Sequence, residues 1–177
     1  LAEGNIDRAA ALVRQAQQNS AVPQEQITRW RNEINRRQDE ARIKRLVDLA
    51  LERVRDGRLT EPDNDNAKYY LAQLKELPGT NASAQRVTRE LSAAYLRKAR
   101  EAGVANQKNE YDRWVAEARS SGASNSDVTA LQREITAARQ KATSAEGDRL
   151  AQLARDRIRE GKLTDPAQDS AAFYLTG

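Results

Sequence analysis

The side chains with the greatest capacity for specific contacts in this sequence are two pairs of adjacent aromatic residues. Tyr69 is followed by Tyr70, and Phe173 is followed by Tyr174. Neighbouring residues on a helix point about 100° apart, so both rings of a pair cannot easily face the same core. One ring should then pack while the other is partly exposed, where it can anchor an extended peptide or a partner helix. We favour the alternative interpretation, in which both rings fill the grooves between packed helices.

Four further residues are candidates for contacts with a partner. Arg53 and Arg157 each lie four residues before a glycine. A cation there is favoured by the dipole of the helix that ends at the glycine, and a shared anionic ligand is the alternative. Trp30 and Trp114 lie on separate amphipathic segments among charged residues, which suits either a place in the core or a half-exposed contact.

Asp63, Asn64 and Asp65 resemble the opening of a calcium-binding loop, because alternating short oxygen ligands suit that ion. The glycine and glutamate that follow in such loops are absent, and the second occurrence of this stretch has Ala167 in place of Asp63. A helix cap at Asn64 or Asp65 is therefore the favoured interpretation. We predict no metal site.

The sequence lacks the residues on which most enzyme chemistry depends. It contains no Cys, no His and no Met. The absence of Cys excludes disulfides, thiolate zinc sites and a cysteine nucleophile, and the absence of His removes the side chain most used for proton transfer near neutral pH. Carboxylates, Lys, Tyr and Ser remain available, but no phosphate loop, serine-nucleophile motif or metal-ligand cluster is present. We predict a non-catalytic protein with no catalytic residue and no cofactor.

Residues 29–45 form the most basic segment of a chain whose net charge is +4. Seven basic residues there outnumber three acidic ones, a balance that can favour nucleic acid or an acidic partner. The alternative is a solvated helix face laced by ion pairs at i,i+4 spacing, Glu33 with Arg37 and Glu40 with Lys44. We favour the solvated face, so nucleic acid is the less favoured partner.

The composition predicts an all-α protein. Aromatic residues make up only 5% of the chain, and the helix-favouring Ala, Arg, Leu, Glu and Gln dominate over the Val, Ile and Phe that a sheet protein needs. No apolar stretch approaches the roughly 20 residues of a membrane span, and no signal peptide is present. The chain opens Leu1-Ala2 without a Met, so we expect it to be a piece of a longer protein.

An internal duplication organises the chain. Residues 45–71 (the first copy) return as residues 149–175 (the second copy), 104 positions later, with 14 of 27 positions identical. A weaker echo precedes each copy, with Trp30 in the place of Leu131. We therefore predict a single helical-repeat array over 1–177, with a first repeat unit at 1–103 and a second, truncated one at 104–177.

Apolar periodicity divides the repeat into amphipathic helices. We predict helices over 6–18, from Pro23 to about Gln38, over a segment carrying 46–54 that stops at Gly57, over 67–74, and from about Asn81 to a glycine stop at Gly103. Helices of this length joined by short loops indicate tandem antiparallel hairpins stacked side by side.

Two strings resemble known families. Residues 4–9, with Val13 and Ala16, are similar to the second half of a tetratricopeptide repeat, and so are Gly57 and Leu59 with the apolar residues that follow them, apart from an inserted Thr-Glu-Pro-Asp-Asn. This resemblance implies a TPR-like right-handed α-solenoid. The duplicated Gly-Arg/Lys-Leu-Thr-x-Pro string resembles the repeat region of long TonB-type energy transducers and related envelope proteins of proteobacteria, which implies a periplasmic or envelope location and protein partners.

These features together favour a non-catalytic scaffold that binds a protein or peptide. Two alternatives stay open. One is a structural spacer that holds other domains apart in the periplasm, and the other is nucleic-acid binding through residues 29–45. We expect no part of this segment to insert into a membrane.

Overall fold

The fold is all-helical, as the composition predicts. The computed structural model describes residues 3–19 and 21–176, and side chains from residue 5 onward. Those residues form no strand. Their helices, in chain order, are α1 (Glu3–Gln17), α2 (Gln24–Arg55), α3 (Ala67–Lys75), α4 (Asn81–Val104), α5 (Lys108–Ser120), α6 (Asn125–Arg159) and α7 (Ala171–Thr176).

The predicted break between Gln38 and Leu46 is wrong. Helix α2 runs through this stretch without interruption for 32 residues, a length of about 48 Å. The segment between the two predicted helices contains neither Gly nor Pro, and most of its residues have high helix propensity, so nothing in it ends a helix. Helix α6 is continuous over 35 residues in the same way.

The middle of α6 is an exposed stretch of helix, at the start of which Arg139 donates hydrogen bonds to the Gly103 carbonyl of α4 and to Asn106 Oδ1. Every side chain from 139 to 149 is exposed. By contrast, Val128, Leu131 and Ile135 are buried near the beginning of α6, and Ala154 is buried near its end. Such a polar stretch depends on intrinsic propensity and on local ion pairs such as Arg149 with Glu146 at 2.7 Å. Gly147 lies within this stretch and weakens it.

The described residues fall into two compact units. The first comprises Leu1–Tyr95 and Ala116–Ala123, and the second comprises Leu96–Val115 and Ser124–Gly177. Helix α4 therefore contributes its first half to one unit and its second half to the other. In the first unit α1 packs on α2, and α2 on α3, while in the second unit α6 packs on α7.

Each compact unit has an apolar core. In the first unit the buried residues include Val54, Leu59, Leu71 and Leu74, together with Val87, Leu91 and Tyr95 from α4. In the second unit α4, α5 and α6 meet in a cluster of small and branched side chains: Ala99, Val115, Val128, Leu131 and Ile135, with Leu96, Tyr111 and Trp114 against it.

The ends of the helices agree with the sequence prediction at Gly57 and differ from it at two other places. Gly57 has a φ of 75°, the left-handed conformation that closes α2. At the end of α4 that role falls to Asn106, with a φ of 60°, and Gly103 is instead a buried helical residue that gives space to the Ile135 side chain. The cap of α3 is Asn66, not Asn64 or Asp65, since the Asn66 side chain accepts the Tyr69 amide.

In the part of the chain that the structure describes, no helix has the combination of length and apolar character needed to cross a bilayer.

We expect Gly147→Ala to stabilise α6, raising the free energy of unfolding by about 1 kcal/mol, because Ala has the higher helix propensity and no atom lies within 4 Å of the new methyl group. Urea unfolding followed by circular dichroism measures the change.

Gly161→Ala is the matched control. Gly161 also has open space around it, but its φ of 74° is one that a side chain disfavours, so this variant should lose about 1 kcal/mol. Equal effects of the two substitutions would contradict the assignment of Gly147 to an uninterrupted helix.

Candidate partner-binding site

Each copy of the duplication folds into a long helix, a proline-containing loop and a short helix. The loop at 56–66 follows α2, and the loop at 160–170 follows α6. Two backbone hydrogen bonds close the first loop, from the Ala67 amide to the Arg58 carbonyl at 2.9 Å and from the Lys68 amide to the Leu59 carbonyl at 3.2 Å. The equivalent pair closes the second loop, and the X-Pro bond is cis in both loops.

An aspartate carboxylate joins the three parts of the first copy. Asp65 Oδ1 accepts hydrogen bonds from Arg53 Nε of α2 at 2.7 Å and from the Tyr70 hydroxyl of α3 at 2.8 Å. Its Oδ2 accepts from Arg58 Nη1 of the loop at 2.8 Å. We call Arg53, Asp65 and Tyr70, with their counterparts in the second copy, the Arg–Asp–Tyr cluster.

The second copy repeats this cluster. Asp169 Oδ1 accepts from Arg157 Nε at 2.6 Å and from the Tyr174 hydroxyl at 2.9 Å. Lys162 stands where the first copy has Arg58, and its ammonium pairs with Glu160 at 3.0 Å. The arginine, aspartate and tyrosine are thus the parts of the arrangement that both copies share.

The cluster shifts the pKa of its members in opposite directions. The Arg53 guanidinium holds the pKa of the Asp65 carboxyl below its usual range, with help from the Tyr70 hydroxyl, and Arg157 with Tyr174 does the same to Asp169. Donation to a carboxylate raises the pKa of Tyr70 and Tyr174, because a phenolate would lie beside a second negative charge. An ionised carboxylate that accepts from a guanidinium and a hydroxyl holds a loop in place and is poorly suited to act as a base.

The sign of each pKa shift sets the pH range of the cluster. A lowered carboxyl pKa means that its stabilising contribution is present above the ordinary aspartate value and is lost as the pH falls through the lowered value. A raised phenol pKa means that the contribution is present below the ordinary tyrosine value and is lost as the pH rises through the raised value. The cluster is therefore intact across the neutral range.

Arg53 and Arg157 are thus held by carboxylates of their own loops. Besides the aspartates, Arg53 Nη1 lies 3.6 Å from Asp56, and Arg157 Nη1 lies 3.1 Å from Glu160. An anionic ligand, the alternative to a purely structural role for these arginines, would have to compete with these internal partners.

A buried polar residue fixes the start of each short helix. Asn66 Oδ1 accepts from the Tyr69 amide at 2.8 Å, and its Nδ2 donates to the carbonyls of Thr60 and Pro62 at 3.0 and 2.7 Å. In the second copy Ser170 takes this place and accepts from the Phe173 amide at 3.3 Å. Neither Asn66 nor Ser170 is predicted from the sequence, although each directly follows an aspartate that is identical in the two copies.

One ring of each aromatic pair is exposed, which differs from the favoured interpretation in which both rings fill grooves between helices. Tyr70 and Tyr174 are half-buried and held through their hydroxyls, whereas Tyr69 is 39% exposed and Phe173 is 47% exposed. Within each pair the two rings make an edge contact, with centroids 5.3 Å apart in the first copy and 5.2 Å apart in the second. The exposed ring of Tyr69 or Phe173 therefore packs against the tyrosine ring that the Arg–Asp–Tyr cluster holds.

The two tryptophans have different surroundings. Trp30 is 44% exposed on α2. Trp114 packs against the core of the second compact unit, and the Arg113 guanidinium carbon lies 4.5 Å from the centroid of its indole ring. Trp30 is thus about as exposed as Tyr69 and Phe173, whereas Trp114 packs against a core.

The basic segment at 29–45 is partly neutralised by ion pairs within α2. Glu33 pairs with Arg37 at 2.7 Å, as predicted, and also with Arg36 at 2.8 Å. Glu40 pairs with Arg36 at 2.6 Å and not with Lys44 as the spacing suggested, because Arg36 lies one turn earlier on the same side of the helix. These pairs lie on an exposed face of the helix.

Comparison with known proteins finds no matching family model, no matching curated protein and no matching solved structure. Within the described residues no group of three or more acidic side chains is placed to hold a metal ion. The candidate site is accordingly defined by geometry alone: an exposed ring, supported by an aromatic neighbour and an Arg–Asp–Tyr cluster, at the same position of each copy.

We expect Tyr70 and Tyr174 to titrate above the ordinary tyrosine pKa of about 10. Asp65→Asn should lower the pKa of Tyr70 toward that value, because a neutral amide no longer opposes the phenolate. NMR of ring-labelled tyrosine as a function of pH measures both residues in one sample.

Tyr174 is the internal control of this experiment, since its own aspartate is unchanged. Asp63→Asn is the matched control variant, because Asp63 is an exposed residue of the same loop. If Tyr70 titrates identically in the wild type and in Asp65→Asn, the Asp65–Tyr70 contact does not govern its ionisation.

Proposed function

We propose that this chain is a non-catalytic helical-repeat scaffold that binds a protein or peptide partner through the exposed rings of Tyr69 and Phe173. The observation that carries the proposal is the supported, outward ring that recurs in both copies. An aromatic side chain that is exposed in the free protein and already held in one orientation loses little entropy when it binds.

The support for each ring is a short series of contacts. Arg53 and Asp65 hold the Tyr70 hydroxyl, Tyr70 holds the edge of Tyr69, and Asn66 fixes the backbone on which both rings stand. None of these contacts buries the outer face of Tyr69. These contacts hold a large apolar ring in water, where it adds nothing to a core. Such an arrangement favours a role in recognition.

The chemistry of the exposed ring indicates the class of partner. Tyr69 and Phe173 offer flat apolar faces, and Tyr69 adds a hydroxyl that can donate a hydrogen bond. Beside Tyr69, the Lys68 ammonium pairs with Glu117 at 2.9 Å, so the nearest cation is engaged within the first compact unit. A segment with apolar side chains, either extended or helical, suits such a surface better than an anionic ligand does.

The proposal extends to the arrangement of the repeats and to the cellular setting. We infer that the repeats stack as antiparallel hairpins in a TPR-like right-handed α-solenoid, which is supported by the duplication and by the similarity of residues 4–9 to a tetratricopeptide repeat. We place the chain in the bacterial cell envelope, in the periplasm, because its repeated string resembles the repeat region of long TonB-type transducers.

A structural spacer is the second candidate function, and one observation favours it. The stretch of α6 from 139 to 149 extends for about 16 Å with every side chain exposed, as expected of a helix that separates two packed regions. Nucleic-acid binding through residues 29–45 has less support, because Arg29, Arg36 and Arg37 already pair with glutamates of α2.

We expect a Tyr69→Ala, Phe173→Ala double variant to lose the partners that the wild-type segment recovers from an envelope extract in an affinity pull-down with mass spectrometry. Loss of an aromatic anchor weakens binding by about tenfold or more for each ring. Circular dichroism should show unchanged helicity, because both residues are exposed.

A Leu12→Ala, Val104→Ala double variant is the control, since it also removes two exposed apolar side chains, one from each compact unit. Partners recovered equally by the wild type and by the aromatic variant would contradict the proposal. If the wild type recovers nothing specific, the spacer becomes the leading candidate. Function in the full-length protein would then fall when α6 is shortened and would tolerate the aromatic substitutions.

A further inference from the structure

The two copies of the duplication differ in how far they bury the same apolar positions. Three residues of the first copy are core residues, at 7%, 2% and 6% exposure: Val54, Leu59 and Leu71. Their counterparts in the second copy are at 51%, 58% and 67% exposure: Ile158, Leu163 and Leu175. We call this second set the α7 face.

The elements that both copies share do not account for this difference. In both copies the short helix packs on the long helix, the same backbone hydrogen bonds close the loop, and the Arg–Asp–Tyr cluster is formed. The first compact unit contains in addition residues 81–95 of α4 and the segment 116–123. Val87, Leu91 and Tyr95 of that α4 segment are completely or almost completely buried. The first half of α4, with its buried apolar stripe, is thus an element available in the first unit to cover Val54, Leu59 and Leu71.

The second half of α4 shows the same relationship in the other compact unit. Ala99 of α4 lies in the cluster with Leu131, which is 5% exposed. In this unit too, an apolar residue of a long helix is buried where it packs with α4.

We propose that the α7 face is a docking site for an amphipathic α-helix with the apolar pattern of α4. The pattern is a stripe of alternating small and large residues: Ala84, Val87, Leu91, Ala94 and Tyr95. The helix opens after Thr80, whose hydroxyl donates to the Leu77 carbonyl at 2.8 Å and whose carbonyl accepts from the Ala84 amide at 2.8 Å. The α7 face shares no residue with the exposed rings of Tyr69 and Phe173, so this proposal does not rest on the proposed function.

The test supplies such a helix in the register that the first copy uses. Residues 72–95 follow Leu71 in the first copy, so a second copy of 72–95 is joined after Leu175 in place of the last two residues. Hydrogen exchange with mass spectrometry then compares the extended and the 177-residue chains. We expect amide exchange over residues 158–175 to slow by about tenfold or more in the extended chain, because opening this segment would then uncover buried apolar side chains.

Two controls make the result specific. An extension carrying Val87→Asp and Leu91→Asp in the added segment alone should give no slowing. Leu163→Asp should abolish the slowing in the extended chain, and it should have little effect on the helicity of the 177-residue chain, where Leu163 is exposed. Exchange over residues 46–71 reports that the rest of the protein remains folded.

The proposal is overturned if the extension leaves exchange over 158–175 unchanged. It is also overturned if the aspartate-substituted extension slows exchange as much as the unmodified one. Neither result would bear on the pull-down with the aromatic variant, since both chains retain Tyr69 and Phe173.

Discussion

A single carboxylate in each copy connects the long helix to the short helix through side-chain hydrogen bonds. Asp65 accepts hydrogen bonds from the guanidinium of an arginine on the long helix and from the hydroxyl of a tyrosine on the short helix, and Asp169 does the same. Ordering a loop of this length costs backbone entropy at every residue. The carboxylate offsets part of that cost by serving as acceptor for both helices at once. The direction of the short helix, and with it the position of the outward ring, follows from this arrangement.

The burial of apolar residues depends on helix α4 as well. An apolar face becomes part of a core only when a helix covers it. Its first half shares a compact unit with the end of α2 and with α3, and its second half shares a unit with α5 and the start of α6. An amphipathic helix buries its apolar side only against a neighbouring element. The exposure of Ile158, Leu163 and Leu175 reflects this dependence, because their sequence is that of a core while their surroundings are those of a surface.

Local features of the fold could be predicted from the sequence, and features that join distant residues could not. The helical character and the turn at Gly57 follow from the propensities of neighbouring residues. The continuity of α2 was missed, because its apolar side changes between its beginning and its end, and that change resembles two helices. The role of Asp65 was missed as well. Its identity in the two copies was visible, but its partners lie 12 residues earlier and 5 residues later, a separation that no local pattern specifies.

The number of residues in the exposed stretch of α6 determines how α7 and the loop before it are rotated about the α6 axis. Arg139 is constrained by its hydrogen bonds to Gly103 and Asn106. The exposed residues that follow it, up to 149, face little constraint on identity beyond helicity and charge, so substitutions should accumulate there. Changes in length are a different matter. Each inserted or deleted residue turns the α7 end by about 100° about the helix axis relative to the Val128–Ile135 end, whereas seven residues restore nearly the same phase. Changes of length close to a whole number of turns should therefore be the ones that this stretch tolerates, and α6, with 35 residues, is itself three residues longer than α2, with 32.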